Sequence, residues 1–495
     1  MISRSVRPKH VHSLRRLNSA AVSLPWADGK SDPPARIPDR TPPADGCPVD
    51  LTDTKSLFAS LSTGKLIRSA ATLHLASIGP MVDIGTWVMG SRLMEVDLVR
   101  RAVLGFTERT FYGHFCGGAD LSAARETVER LWFAGLNAMM DYGLEHASDN
   151  ESCDCNADVI VDTINSSRTS GNSAVSFVVV KLTAIFQPKL LRRVSDLLRW
   201  EHRDTSLHLP WKLKSLPILS NISPLYHTPT KPQPLTLHEE HDLQLARARL
   251  DRICRRAVEA DIPLLIDAED TSIQPAIDHF AYSAAVEHSG REDGSPIIFN
   301  TIQAYLKDSK ERLVAAKEAA DQMGVPVGFK LVRGAYLSSE RMLADRLGVK
   351  SPVHDSIGET HTCFDSCADF LLEEIGCGSG YAVLATHNVE SDFKNGGWIA
   401  GKMAASKAVN LGIRKNSPYL HFAQLYGMAE ALSFGLKNAG FNVSKYLPFG
   451  PVEQIMPYLL RRAEENRGLL AASSLDRQLM SKEIIRRVAS RSIEA

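Results

Sequence analysis

The sequence predicts an α/β fold, a (β/α)8 TIM-like barrel with an N-terminal helical region. Eight short apolar runs predict it: Asn137–Tyr142, Val178–Ala184, Pro263–Glu269, Ile297–Tyr305, Gly328–Tyr336, Ala382–Asn388, Leu420–Gly427 and Ser444–Gly450. Longer amphipathic stretches separate several of them, as a strand–helix alternation requires for a parallel sheet. A polar or reactive residue also stands at the end of nearly every run: Lys181, Asp267, Gln303, Arg333, His387, Gln424 and Tyr446. Closure into a barrel brings those ends to one mouth, whereas the rival open sheet spreads them along an edge.

The elements follow in order. Residues 1–50 read as a transit peptide and linker. The first 27 residues carry Arg4, Arg7, Lys9, Arg15 and Arg16 with no acid before Asp28, a mitochondrial targeting composition. Six prolines within 31–48 mark the linker. Residues 51–135 read as the helical region, with Asp120 placed to cap the helix that starts at Leu121. The apolar stretch 66–89 is broken by Arg68, His74, Pro80 and Asp83, so it does not span a bilayer. Packing against the main domain accounts for it better than a membrane surface does.

The barrel occupies 136–475, with a proline-rich surface insertion at 203–236, and 476–495 form a C-terminal tail. Gly324 and Gly376 are placed to close the helices Ser309–Met323 and Phe364–Ile375.

Lys+Arg and Asp+Glu balance at 57 each, which disfavours a nucleic-acid partner. The eight cysteines are too few for a disulfide scaffold, and Cys153 and Cys155 lack a second pair at zinc-ligand spacing. Cys363 and Cys367 share a helical face with Phe370 and Leu371, which reads as core packing. Gly376, Gly378 and Gly380 precede a strand and therefore form a turn, not a dinucleotide loop.

The chemistry concentrates at the run ends. Arg461 and Arg462 open onto the mouth after the Gly450–Pro451 turn, and Glu465 is spaced to brace both. Such a pair suits a carboxylate, although a solvated ion-pair face is the ordinary alternative. Asp267 serves either as a helix cap or as the counter-ion of a substrate amine. Lys181 interrupts an apolar run and needs a partner, either a neighbouring carboxylate or a substrate anion. Three cations with one carboxylate fit a zwitterion such as an amino acid. His387, Gln303, Gln424 and Arg333 could together hydrogen-bond a large polar cofactor.

Six segments together resemble the proline dehydrogenase family: Lys181–Ala184, Ile266–Glu269, Lys330–Tyr336, Ala385–Asn388, Gln424–Met428 and Arg461–Asn466. They occur in order between about residue 108 and 470. The resemblance implies a distorted barrel holding FAD noncovalently. It implies oxidation of L-proline to Δ1-pyrroline-5-carboxylate by hydride transfer from C5 to flavin N5. Electrons then pass to quinone at the matrix side of the mitochondrial inner membrane, with peripheral membrane association. By motif position, Arg461, Arg462 and Lys181 bind the proline carboxylate, and Asp267 faces the ring nitrogen. Tyr336 and Tyr446 wall the ring, and Glu465 braces the arginines. Gln303, Lys330, Arg333, Gly334, Ala335, Thr386, His387, Asn388 and Gln424 contact FAD. Some bacterial members carry Arg at the position of Lys330 and Lys at that of Arg333, so both charges are kept. Hydroxyproline dehydrogenation, a folate-reducing flavin barrel and a barrel without catalysis are the competing readings.

Overall fold

The computed structural model describes residues 47–494, apart from 79–82, 84, 86, 89, 90, 169–173, 290–292, 389–399 and 469; the side chains of 400, 457, 463–473 and 491–494 also lie outside it. The chain divides into two units, residues 1–36 and 37–495. The expected targeting segment and most of the linker lie outside the described residues, all of which belong to the second unit.

Eight parallel strands close into a barrel in chain order. They are β1 (Asn137–Tyr142), β2 (Val175–Val180), β3 (Leu264–Ile266), β4 (Ile298–Gln303), β5 (Gly328–Val332), β6 (Ala382–Ala385), β7 (Leu420–Leu425) and β8 (Val443–Phe449). Closure is made by β1 against β8, from Asn137 opposite Ser444 to Tyr142 opposite Phe449. Every expected run overlaps a strand, with β2 and β8 starting at Val175 and Val443, ahead of their runs. Several strands stop earlier than the runs because the polar ends turn out of the ladder. Lys181, for example, is the first residue past β2 and precedes the short helical turn Leu182–Ile185.

The helices, in chain order, are α1 (Thr63–Ala76), α2 (Asp97–Thr107), α3 (Leu121–Phe133), α4 (Asn150–Ser167), α5 (Pro188–Arg203), α6 (Leu237–Ala260) and α7 (Gln274–Glu287). They continue with α8 (Ser309–Met323), α9 (Leu337–Leu347), α10 (Ile357–Gly376), α11 (Ala400–Asn410), α12 (Glu430–Asn438), α13 (Val452–Gly468) and α14 (Leu470–Glu494). Asp120 caps α3 as expected, accepting from the Ala123 N–H at 2.9 Å. Gly324 closes α8 with a left-handed φ of 64°. Gly376 does not close its helix. α10 runs through it, and Gly378 takes the left-handed turn at φ 82°. The part of 66–89 within α1 buries Leu66, Leu73 and Ala76, and α1 packs on α14. No helix among the described residues is long and apolar enough to cross a membrane.

The insertion after α5 has little regular structure beyond a turn at Leu225–His227, but it is anchored. Arg203 donates to the carbonyls of Thr228 and Leu225 at 2.5 and 2.6 Å, and Ser223 donates to Asp308 at 2.5 Å. Leu209, Leu216, Ser223 and Thr228 are buried, so part of this segment is covered rather than lying on the surface throughout.

Period-two alternation sorts each strand between two cores. Outward residues such as Met140, Val178, Val180, Leu264 and Ile266 join the layer under the helices. Inward residues Met139, Phe177, Val179, Leu265, Phe299, Val383 and Ala423 plug the barrel. The Phe177 and Phe299 rings meet edge to face at 4.9 Å, and each buried ring contributes about 1.5–3 kcal/mol. Gly328 makes room for this plug, since a Cβ there would lie 2.2 Å from the Phe299 ring. Two positions beyond plug residues Met139, Val179 and Leu265, the same alternation places Asp141, Lys181 and Asp267 above the plug.

Candidate active site

The mouth of the barrel holds a buried network of charges. Lys181 Nζ donates to Asp141 Oδ1 at 2.6 Å and to the Tyr446 hydroxyl at 2.8 Å, and lies 3.4 Å from Asp267 Oδ2. Lys330 Nζ donates to Asp267 Oδ1 at 2.5 Å. The Tyr446 hydroxyl donates to Asp267 Oδ2 at 2.7 Å. Asp267 is therefore held by Lys181 just past β2, by Lys330 on β5 and by Tyr446 on β8, and the neighbouring carboxylates of Lys181 are Asp141 and Asp267.

Burial alone would raise the Asp267 carboxyl, but Lys330 and then Lys181 hold it well below the ordinary range. Asp141 moves the other way, because burial outweighs its single lysine. Burial likewise opposes the charge on Lys181, yet Asp141, Asp267 and Glu145 keep it firmly protonated.

Adjacent positions on α13 send the two arginines in different directions. Arg461 donates to both oxygens of Glu145, at 2.5 and 3.1 Å. Glu145 sits in the loop after β1, next to His146 in the left-handed region at φ 60°. Arg462 is 6% exposed, with its guanidinium 4.9 Å from the Tyr458 ring centre. Arg462 is thus buried, while Arg461, its side chain 23% exposed, is held in an ion pair with Glu145. The side chain of Glu465 lies outside the described residues, and the carboxylate seen on Arg461 is Glu145.

The residues of β4–β7 form a second group. Arg333 donates from Nε to His361 Nδ1 at 3.0 Å and from an amino group to Thr386 Oγ1 at 2.6 Å, with the Phe364 ring 4.3 Å away. Gly334 has φ 130°, and a Cβ there would stand 1.8 Å from the Tyr305 ring, so this bend is open only to glycine. Ala335 and Tyr336 follow, Ala335 exposed and Tyr336 partly buried. His387 accepts from the Leu425 N–H at 2.9 Å, and burial, then Arg462, Lys445 and Arg333, lower it to about 3, so the ring is neutral. Thr386 and Asn388 are buried beside it, the Asn388 N–H donating to Thr386 Oγ1 at 3.2 Å. Gln303 donates to the Glu269 carbonyl at 2.8 Å, and Gln424 accepts from Ser433 at 2.9 Å. A rim of amide, guanidinium, hydroxyl and neutral imidazole groups suits a large polar cofactor.

Three acids were not singled out from sequence. Asp141 was legible, since it interrupts the first apolar run as Lys181 interrupts the second. Glu145 lies in a loop with no local signal. Glu269 is 2% exposed and accepts from the Thr183 hydroxyl at 2.9 and 3.0 Å. Burial pushes its carboxyl up to about 8, beyond what these hydrogen bonds offset.

The raised value has a consequence for stability. Glu269 holds its proton in the folded state, so its contribution is complete below the unfolded value of 4.5 and is lost as pH rises through about 8. Glu269→Gln should flatten the decline in urea midpoint across that window. Parallel pH profiles for the two proteins would show that Glu269 titrates normally.

A sequence model of the family described as Proline dehydrogenase matches residues 124–475. The chain is 53% identical over 468 residues to "Proline dehydrogenase 1, mitochondrial" of Arabidopsis thaliana, covering 94% of this chain and 91% of that protein. It is 28% identical over 476 residues to the hydroxyproline dehydrogenase of Bos taurus, covering 92% of this chain and 97% of that one. Among solved structures, the proline utilization A protein of Bdellovibrio bacteriovorus superposes with a TM-score of 0.54 at 19% identity. That match covers 87% of this chain but 40% of the larger protein, and it establishes likeness of fold. The match over 124–475, the closed barrel and the 53% identity place this chain in the proline dehydrogenase family of oxidoreductases.

Proposed function

We propose that the chain oxidises L-proline to Δ1-pyrroline-5-carboxylate in mitochondria, with FAD as bound cofactor and quinone as electron acceptor at the matrix side of the inner membrane. The observation that carries the reading is the set of opposite charges at the mouth: Lys181 beside Asp267, and Arg461 on Glu145 with the buried Arg462 next to it on α13. An amino acid needs both signs of charge in one pocket. The relatives' names and the acid-free basic leader support the mitochondrial site.

The residues present fit FAD by the polar donor and acceptor set of β4–β7. Gln303, Lys330, Arg333, Gly334, Ala335, Thr386, His387, Asn388 and Gln424 would hold it. When bound, FAD supplies the acceptor for the hydride leaving C5 of proline. The protein's share is orientation. Arg461, Arg462 and Lys181 clamp the substrate carboxylate, which fixes C5 relative to the cofactor. Tyr336 and Tyr446 wall the ring. Asp267, held ionised by Lys330 and Lys181, stabilises the positive charge that grows on the ring nitrogen as hydride departs.

The test is spectroscopic. The purified protein should show a flavin spectrum that bleaches anaerobically with L-proline, and heat or acid should release free FAD to the supernatant. A colourless protein, or flavin that stays with the precipitate, would overturn the cofactor assignment.

Arg462→Met should leave a folded protein, because its neighbour Tyr458 and the buried face of α13 remain. Losing one charge-assisted hydrogen bond to substrate lowers kcat/KM for proline about tenfold to a hundredfold. Unchanged kinetics would assign Arg462 to packing alone.

A further inference from the structure

We propose that Glu340 is a positioning residue for the substrate: latched onto Thr271, it holds Tyr336 in place against the loop that carries Asp267. The inference rests on the proposed function above, in which Tyr336 walls the proline ring and Asp267 faces its nitrogen.

The helix α9 follows Tyr336 directly, yet its buried residues are Glu340 and Ala344. Leu337, Met342 and Leu347 on the same helix are exposed. An apolar face ordinarily seats a helix on its domain. Here a glutamate that is 2% exposed takes that place, and Ala344 has too small a side chain to seat the helix alone. A buried carboxyl group is tolerated where it has hydrogen-bond partners.

Thr271 supplies those partners. Its N–H donates to Glu340 Oε1 at 2.6 Å, and its hydroxyl donates to Oε2 at 2.6 Å. Thr271 lies in the loop that runs from Asp267 at the end of β3 to the start of α7, and it is itself fixed from two other sides. Arg199 of α5, fully buried, donates to the carbonyls of Thr271 and Ser272 at 2.5 and 2.7 Å. His227 of the proline-rich insertion places Nε2 2.8 Å from the Thr271 hydroxyl oxygen. Burial, then Arg199 and Arg192, lower His227 to about 3, so the ring is neutral. With the proton on Nε2 it donates to Thr271, which leaves the threonine hydroxyl to donate to Glu340.

Glu340 reaches Tyr336 through the backbone. Its N–H donates to the Tyr336 carbonyl at 3.0 Å, and the Ser339 hydroxyl donates to the same carbonyl at 2.8 Å. Burial, then Glu269 and Glu145, raise the Tyr336 phenol well above its ordinary value, so the phenol shares the mouth with these acids. One side chain thus ties the loop after β5, with Tyr336, to the loop after β3, with Asp267. The insertion stands behind the tie through His227.

The experiment is a double-mutant cycle on the full-length flavoprotein, with amide exchange measured alongside. Glu340→Ala should lower kcat/KM for proline about tenfold or more, mainly through KM, because a wall grips substrate and transition state alike. Glu340→Gln keeps an acceptor for the Thr271 N–H and should recover most of that loss. In a Tyr336→Ala background, Glu340→Ala should cost less than about threefold further. A glutamate that serves the fold alone would cost the same in both backgrounds, and that result would overturn the proposal. Thr271→Val removes the hydroxyl and keeps the N–H, so it carries the same comparison if Glu340→Ala does not fold. It should raise KM about threefold or more in the parental background and leave it unchanged beside Tyr336→Ala. Amide exchange over Leu337–Leu347 should quicken in Glu340→Ala but not in Glu340→Gln, and unchanged exchange in both would also overturn the proposal. Additive variants of an active parental protein sink the latch alone. A parental protein that does not oxidise proline sinks the proposed function, and the latch with it.

Discussion

Asp267→Ala should cost the protein about 3–5 kcal/mol of stability, with nearly all of its proline oxidation, because it leaves buried charges unpaired. Lys330 and Lys181 converge on this carboxylate at 2.5 and 3.4 Å, and their side chains are each 7% exposed. Lys181 keeps Asp141 at 2.6 Å, whereas the salt bridge shown for Lys330 is the one to Asp267. A loss of that size is a large share of a typical margin of about 5–15 kcal/mol. Urea midpoints of the two proteins measure it directly.

Asp267→Asn separates architecture from chemistry. The amide keeps the shape and an acceptor for Lys330, so more stability should survive. It removes the negative charge that would face the ring nitrogen, so kcat/KM should still fall by tenfold or more. An Asn variant with parental kinetics would make Asp267 a structural counter-ion and leave the substrate amine to another group. The acid limb gives a further check. A carboxyl held below its unfolded value of 3.8 contributes stability that is present above that pH and is lost as pH falls toward about 2. Asp267→Asn should blunt that part of the acid unfolding curve.

The sequence carries the barrel because strand periodicity and helix periodicity are local properties. All eight apolar runs overlap a strand, and Asp120 and Gly324 act as the caps their positions indicate. Strand ends were less legible, since Lys181 and Asp267 continue an apolar run while leaving the ladder. The site was legible where a charged residue breaks an apolar pattern, as at Lys181 and Asp267. The same logic extends to Asp141 at the end of β1. Glu145 shows the limit. It lies in a loop, and its tie to Arg461 spans 316 positions, so no spacing rule reveals it. Only closure of β1 on β8 brings that loop against α13. The Gly376 expectation failed because any glycine near a helix end is a plausible terminator, and the choice between Gly376 and Gly378 depends on how the chain turns into β6.

Tyr446→Ser should move substrate preference toward hydroxyproline. Tyr446 stands on β8 opposite Met139, and its hydroxyl is fixed between Lys181 at 2.8 Å and Asp267 at 2.7 Å. Both lysines lie near its ring, at 5.5 and 5.4 Å from the centre. The phenol is therefore rigidly held at its tip by Lys181 and Asp267. If it walls the substrate ring as proposed, its volume decides whether a hydroxyl on C4 fits. The relatives of this chain include both proline and hydroxyproline dehydrogenases, so one scaffold accommodates either ring. An apolar wall rejects an added hydroxyl by only about a hundredfold, which caps the expected change in the ratio of kcat/KM values. Serine should raise the KM for proline through lost packing and raise relative use of hydroxyproline within that cap. Tyr446→Phe is the decisive companion. It keeps the ring and removes two hydrogen bonds, each worth about 0.5–1.5 kcal/mol or more with a charged partner. Phenylalanine should therefore lower stability and activity while leaving the substrate ratio near the parental value. A ratio that moves equally in both variants would assign selectivity to the hydrogen-bonded network rather than to the ring. A ratio that moves in neither would remove Tyr446 from the substrate wall altogether.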